Sequence, residues 1–282
     1  NEWDRGVEST LCVSATGTGK AVIMAGLVDR LPADSRFLYI VHRDSLAQQA
    51  MRQFKQWTNR SVQLEMQEHG KGRTHRGNAQ IIVAGVQSLG GRKKKYDVEE
   101  FDYVGTDESH RYAGNSWADT VRHFRPKHRV GNTATPNRHD GVQLIGEGCE
   151  FQSVAFQYPI NIAINDGWIV PFKWRVESCR DIDLDSITEI TSGDLSPSAV
   201  EREMTKAQVV RHIVRSMIRV AAGRQGIVFC KGVQQVYAVH AEFQRQGATS
   251  IAVTGKTHKG VRYYQDQDFK GNRVQFSVGC EV

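Results

Sequence analysis

Ser14-Ala15-Thr16-Gly17-Thr18-Gly19-Lys20 sets two glycines around a threonine and a lysine directly after the second glycine. Gly17 and Gly19 let the backbone curl so that successive N–H groups point at one spot. A helix starting there adds partial positive charge. Lys20 can reach the outer phosphates of a bound nucleotide. Two glycines alone fit an ordinary turn; the lysine makes the phosphate reading specific. A second reactive pair, Asp107-Glu108, lies far downstream. Paired carboxylates beside a phosphate loop divide their work. The first, Asp107, holds Mg²⁺, usually through water, and the second, Glu108, deprotonates the attacking water. Without Lys20 the same pair would read as a solvated acidic turn.

One position departs from the phosphate-loop pattern. Ser or Thr normally follows the lysine and places its hydroxyl on Mg²⁺. This chain has Ala21 there, whose methyl cannot ligate a metal. Water can fill that place, since Mg²⁺ keeps several waters. Nucleotide binding is expected to survive and turnover to suffer.

These groups need a scaffold. Thr10–Val13 reads as a buried strand before the loop, and Ala21–Leu31 as a helix after it. Phe37–Val41 is a continuous apolar run, as for a strand covered on both faces. A helix follows, capped by Asp44 or Ser45, with Leu46, Ala50, Met51, Phe54 and Trp57 at helical spacing. Gln80–Ala84, Phe101–Thr106 and His128–Asn132 read as further strands. The last leads into Thr133-Ala134-Thr135-Pro136, where a threonine hydroxyl can also simply cap a loop. Strands alternating with helices predict a doubly wound α/β sheet with ligands at the carboxyl ends of its strands. The segments singled out all fall at such ends.

Further along, Ile160–Ile164 reads as a short helix ended by glycine, with an exit strand through Trp168–Pro171. One helix is expected from about 200 to 222, then a strand at 226–230, a helix from Val236 to Phe243, and strands at 250–254 and 274–278. The predicted domains are 1–172, a connection at 173–200, and a second α/β domain at 201–282. Both ends read as cut, because the phosphate loop comes at residue 14 and the chain stops just after a core-like strand.

With 282 residues, 39% hydrophobic and 24% charged, the chain fits two soluble globular domains. It carries 37 basic against 31 acidic residues, a net +6, compatible with a polyanionic partner. Five scattered cysteines form no zinc spacing and read as reduced cytosolic thiols. No signal peptide or membrane-length apolar run is visible, so a cytoplasmic location is expected. Arg92-Lys93-Lys94-Lys95 reads as a solvated charged loop or an added grip on nucleic acid. His69, His75, His123, His128 and His139 show no ligand pattern and read as surface residues.

Ala15 to Lys20, Asp107-Glu108-Ser109-His110 and Thr133-Ala134-Thr135-Pro136 together resemble the phosphate loop, DExH box and TAT motif of superfamily 2 helicases. The resemblance extends through Val41-His42-Arg43, Val86-Gln87-Ser88-Leu89, Ile227–Cys230, Val253-Thr254-Gly255-Lys256 and Ser277-Val278-Gly279. It is nearest to DEAD/DEAH-box-like translocases such as restriction-enzyme motor subunits and phage helicases. It implies two RecA-like parallel-sheet domains, the second truncated, with ATP and Mg²⁺ as cofactors. Ala15 to Ala21 would hold the nucleotide, and His110, Thr133 and Thr135 would link hydrolysis to movement. Arg43, Gln87, Ser88, Thr254 and Lys256 would touch the nucleic-acid backbone without reading sequence. DNA is expected in preference to RNA, with a larger complex as the setting. Gly85 stands where relatives often carry Thr, no adenine-reading glutamine motif lies upstream, and the last arginine motif would lie beyond Val282. The alternative is a nucleotide-responsive nucleic-acid-binding module without effective hydrolysis.

Overall fold

A computed structural model describes residues 2–65, 78–113, 115–136, 143–191 and 194–280. The chain divides into two compact units, Asn1–Phe172 and Lys173–Val282.

The first unit runs β1 (Ser9–Ser14), α1 (Lys20–Asp29), β2 (Phe37–Val41), α2 (Asp44–Trp57), β3 (Val62–Glu65), β4 (Ile81–Gly85), α3 (Val86–Gly90), β5 (Tyr103–Thr106), α4 (Asn115–Arg122), β6 (His128–Thr133), β7 (Ser153–Tyr158) and α5 (Ile160–Asn165). Its seven strands lie in the order β3-β4-β2-β5-β6-β1-β7. Every pairing is parallel. All carboxyl ends therefore share one edge.

The apolar run of β2 shows why the sheet is covered twice. Phe37, Tyr39 and Val41 pack on one face with Met24, Ala25 and Val28 of α1 and Ala47, Ala50 and Phe54 of α2. Leu38 and Ile40 pack on the other with Val86, Leu89, Trp117 and Val121 of α3 and α4. Alternation along the strand sends successive side chains into opposite layers.

The second unit runs β8 (Ile190–Thr191), β9 (Asp194–Leu195), α6 (Pro197–Met204), α7 (Ala207–Ala221), β10 (Gly226–Cys230), α8 (Val233–Arg245), β11 (Ser250–Val253), α9 (Lys259–Lys270) and β12 (Phe276–Cys280). Its main sheet is parallel, in the order β10-β12-β11. Val210 and Val214 of α7 and Val236, Val239 and Phe243 of α8 cover one face. Phe243 stacks on Phe276 with ring centroids 4.2 Å apart. Residues 173–200 fall inside this unit.

Several expectations are corrected. The helix expected over 200–222 is two helices, α6 and α7, broken at Thr205 and Lys206. The Thr205 N–H closes back on Arg202 and its hydroxyl on Glu201, which ends the first helix. Trp168–Pro171 forms no strand: the Trp168 and Ile169 N–H groups turn back to the Ala163 carbonyl at 2.9 and 3.1 Å, and the Trp168 and Val170 side chains stand exposed. The short helix before it does end at a glycine, Gly167, with φ of 78°. Arg43 holds the N-cap position of α2 and supplies no side-chain cap bond; the side chains of Asp44 and Ser45 lie outside what the structure describes.

The basic run at 92–95 is half built into the fold. Arg92 pairs with buried Glu65 at 2.6 Å and Lys93 pairs with Asp119, leaving Lys94 and Lys95 exposed. His128 is no plain surface residue, since it stacks on Trp3 at 4.8 Å. His123 is half-buried edge-on to Phe124. His69, His75 and His139 lie outside the described residues. Among the described residues no helix is long and apolar enough to cross a membrane.

Candidate nucleotide site

The loop after β1 delivers Lys20 to the start of α1. Gly17 and Gly19 both take positive φ, 90° and 80°, which L side chains rarely adopt. The Thr18 hydroxyl donates to the Ala15 carbonyl at 2.7 Å and closes the turn. Gly19 caps the helix, and its carbonyl accepts from Val22 at 2.8 Å. The Lys20 and Ala21 N–H groups come before the first hydrogen bonds of the helix, as at any helix start. A Cβ placed on Gly17 would meet nothing within 4 Å, so the ground above the loop is open.

Asp107 and Glu108 follow β5. The Asp107 N–H donates to Ile40 O of β2 at 2.9 Å, fixing the strand end. Glu108 takes φ of 48°, unusual for a residue with a side chain. That turn aims its carboxylate back across the edge. Glu108 Oε1 lies 3.6 Å from Lys20 Nζ, and Oε2 lies 3.4 Å from His110 Nδ1. Buried Ser109 anchors the turn beneath them, its hydroxyl 2.9 Å from that of Thr106. The Lys20 and Glu108 side chains are 11% and 29% exposed, so solvent screens the pair in part.

β6 sits between the strand of the lysine loop and the strand of the carboxylates. Thr133 at its end is fully buried, and its hydroxyl lies 3.0 Å from His110 Nδ1. The same hydroxyl also donates to the Thr135 carbonyl at 3.0 Å, so the loop-closing role operates together with the histidine link. Thr135 itself is exposed.

Sequence reasoning missed Asn132. It is fully buried and its Nδ2 donates to Lys20 O at 3.2 Å, tying the first turn of α1 to β6. No motif marks such a residue; only its polar type inside a buried strand hints at it.

Among the described residues, the buried Ser14 Oγ and Asp107 Oδ1 at this edge lack hydrogen-bond partners, and the Tyr39 hydroxyl comes close to Asn132 and Asp107. Orphans of this kind gather where a bound ion, water or ligand completes the set. With an open glycine loop and a lysine beside them, the donor set fits a Mg²⁺–nucleotide.

Burial raises the Asp107 carboxyl above its ordinary range, the Glu108 charge adds to this, and Lys20 opposes it. A folded-state value above the unfolded one means the native chain holds this proton more tightly. Its contribution to stability is present at acid pH and is lost as pH rises through the folded value. At neutral pH the carboxylate is a buried charge awaiting a cation. Asp107→Asn is therefore expected to raise the thermal midpoint of the ligand-free protein at neutral pH, with the gain shrinking toward acid pH. The same variant should lose Mg²⁺-dependent nucleotide binding. Melting curves across pH check the sign; a lower midpoint at neutral pH would show that the ionised carboxylate stabilises the fold.

The other predicted contacts are spread along both units. Arg43 and Gln87 are exposed at the carboxyl ends of neighbouring strands β2 and β4, on the same edge as the phosphate loop. Ser88 is buried in α3. In the second unit Thr254 is buried, and its hydroxyl accepts the Lys256 N–H at 3.3 Å, while Lys256 is exposed.

Comparison with known proteins fits this geometry. Residues 1–138 match the family described as "Type III restriction enzyme, res subunit". The chain is 24% identical to "Putative ATP-dependent helicase IRC3" of Saccharomyces cerevisiae, over 95% of this chain and 40% of that protein. It is 24% identical to a "51.5 kDa protein" of a Lactococcus phage, over 95% of this chain and 54% of that protein. The chain thus spans about half or less of the length of these relatives.

Among solved structures, a fragment described as a "putative HsdR subunit of a type I restriction enzyme" from Vibrio vulnificus superposes with TM-score 0.67 at 20% identity, covering 98% of this chain and 50% of that one. The Pyrococcus furiosus Hef helicase domain gives TM-score 0.53 at 14% identity, covering 97% and 83%. Dbp5 of S. cerevisiae gives 0.53 at 14%, covering 97% and 66%. These structures share the RecA-like α/β fold. The first 138 residues thus match a restriction-enzyme subunit family, and the chain as a whole is similar to helicase-like proteins and to restriction-enzyme motor subunits.

Proposed function

We propose that this chain is the motor part of an ATP-dependent nucleic-acid translocase or helicase. The observation that carries the reading is the meeting of Lys20, Glu108, His110 and Thr133 at one edge, beside the unpartnered Asp107 oxygen. The loop from Ala15 to Ala21 would cradle the phosphates, and Lys20 would neutralise them. Asp107 would hold Mg²⁺, usually through water. Bound Mg²⁺ would supply positive charge against the developing phosphate charge. Glu108 would orient the attacking water and take its proton. His110 through Thr133 would carry the state of Glu108 into β6 and so toward movement.

Exposed Arg43, Gln87 and Lys256 would contact the nucleic-acid backbone directly, with Ser88 and Thr254 shaping the turns that present them. DNA is the proposed polymer in preference to RNA, and a larger complex the setting, on the strength of the restriction-enzyme relatives. The comparisons do not favour the alternative of a binding module without hydrolysis.

The test is Mg²⁺-dependent ATP hydrolysis with and without single- and double-stranded DNA and RNA. A polynucleotide should raise the rate, and its binding should weaken steeply with salt. A rate indifferent to every polymer would remove the motor reading.

Ala21 offers a second check. Ala21→Thr should give the metal a direct ligand, a charge-assisted contact worth about 1–3 kcal/mol. Nucleotide affinity in Mg²⁺ should rise by roughly tenfold or more, and the gain should vanish on chelation. The cost in helix propensity, a few tenths of a kcal/mol, is too small to cancel it. Equal affinity of the two proteins in Mg²⁺ would mean that water already serves at this position.

A further inference from the structure

Cys230 and Cys280 end neighbouring parallel strands. They are partners in register, forming the last rung of the β10–β12 ladder. Alternation places both thiols on the helix-covered face, where Cys230 joins the buried cluster of Val228 and Val278 and Cys280 packs against it. Backbones in a ladder stand ~4.8 Å apart, inside the ~4.4–6.8 Å Cα separation that a disulfide spans. The side chains must still close by roughly 1 Å to bring the Cβ atoms to their usual separation. At a terminal rung only one end of the ladder has to yield. We propose that Cys230 and Cys280 form a reversible disulfide, a modification site that responds to low-molecular-weight disulfides and pins β10 to β12.

The neighbours fix the order of attack. Cys230 is buried, and its thiol is pushed up to about 12 by that burial, then by the charges of Cys280 and of Glu201 from α6. Cys280 is the less buried partner. Its thiolate attacks one sulfur of the small disulfide and expels one thiolate. Cys230 then gives up its proton and attacks the Cys280 sulfur, expelling the second. Two protein thiols are oxidised to one disulfide, and one small disulfide is reduced to two thiols. Among the described residues no third ligand joins the pair to make a metal site. A bond that strains the ladder is more easily reduced, which suits a reversible link.

The bond would tie the strand end that leads into Lys231-Gly232, and so into the start of α8, to the end of β12. There Gly232 already lies close to Glu201, whose carboxylate accepts the Gln234 N–H at 2.9 Å.

The test treats the intact chain with oxidised glutathione under native conditions, followed by peptide mass mapping without reductant. The expected product is a monomer in which the Cys230 and Cys280 peptides are linked, released by dithiothreitol. Cys149→Ser should leave the link unchanged, and Cys280→Ser should leave Cys230 as a free thiol. The linked protein should also melt at a higher temperature than its reduced form. A Cys280 that stops at the glutathione adduct, a link to any other cysteine, or a link only between two chains would overturn the proposal. Because serine at position 280 is a small change, a folded C280S protein in which Cys230 still becomes linked would overturn it as well.

Discussion

Glu108→Gln is expected to lower ATP turnover by about 10²- to 10⁴-fold, the usual contribution of a positioned general base. Nucleotide affinity should be kept. The amide has the shape of the carboxylate but cannot take a proton from water. The backbone at Glu108 sits at φ 48°, which glutamine adopts as well as glutamate does, so the turn should survive. What changes is charge. The pair to Lys20 at 3.6 Å is lost, and so is the repulsion that helps raise Asp107. Asp107 should then ionise more readily, so Mg²⁺-dependent binding should hold or tighten while turnover collapses. Single-turnover hydrolysis measured beside equilibrium nucleotide binding separates the two effects. Unchanged turnover would take Glu108 out of its role; loss of binding in parallel with turnover would make it a structural partner of Lys20.

The second large effect concerns stability. Gly131 lies in β6, where a methyl would stand 2.4 Å from Phe151, 2.6 Å from the Ser109 hydroxyl and 2.8 Å from Leu11. All three neighbours are buried. Overpacking of a tight core costs about 1–3 kcal/mol, and three crowded sides put Gly131→Ala toward the upper figure. For a unit of this size that corresponds to a fall in thermal midpoint of roughly 5–10 °C. Ser109 belongs to the turn that aims Glu108, so nucleotide turnover should fall at temperatures where the variant is still folded. A midpoint within a degree of the parent would mean that the layers above β6 are looser than these distances.

The parallel α/β fold was legible in the sequence, and so was the placement of the proposed nucleotide-site residues at one edge of the sheet. Chemistry fixes residue type and spacing in the phosphate loop and at Asp107-Glu108, and those constraints hold without knowledge of the neighbours. Buried strands such as β2 were legible because two covered faces leave no room for polar residues. β7 was not, because its Ala155, Phe156 and Gln157 are exposed and its apolar run is only three residues long, Val154 to Phe156. β3 has only four residues, and α9 (Lys259–Lys270) is too polar to show a stripe. The break between α6 and α7 carries neither glycine nor proline. Asn132 escaped notice for a related reason. Its role depends on β6 lying next to β1, and pairing between strands so far apart in sequence leaves no local mark.

The place of β1 between β6 and β7 has a consequence for how the protein is made. Thr10 of β1 pairs with Val130 on one side and Ser153 on the other. The earliest made of these seven strands is therefore among the last of them to find its place. At ~5–20 residues per second, something like 6–30 s pass between synthesis of β1 and of its partners. Throughout that interval Leu11 and Cys12, later buried, remain uncovered. The phosphate loop has no rigid strand to hang from until the seventh strand of the sheet exists. Newly made chain should thus gain nucleotide affinity abruptly, at a length just past Tyr158, instead of building it up in proportion to the loop already made.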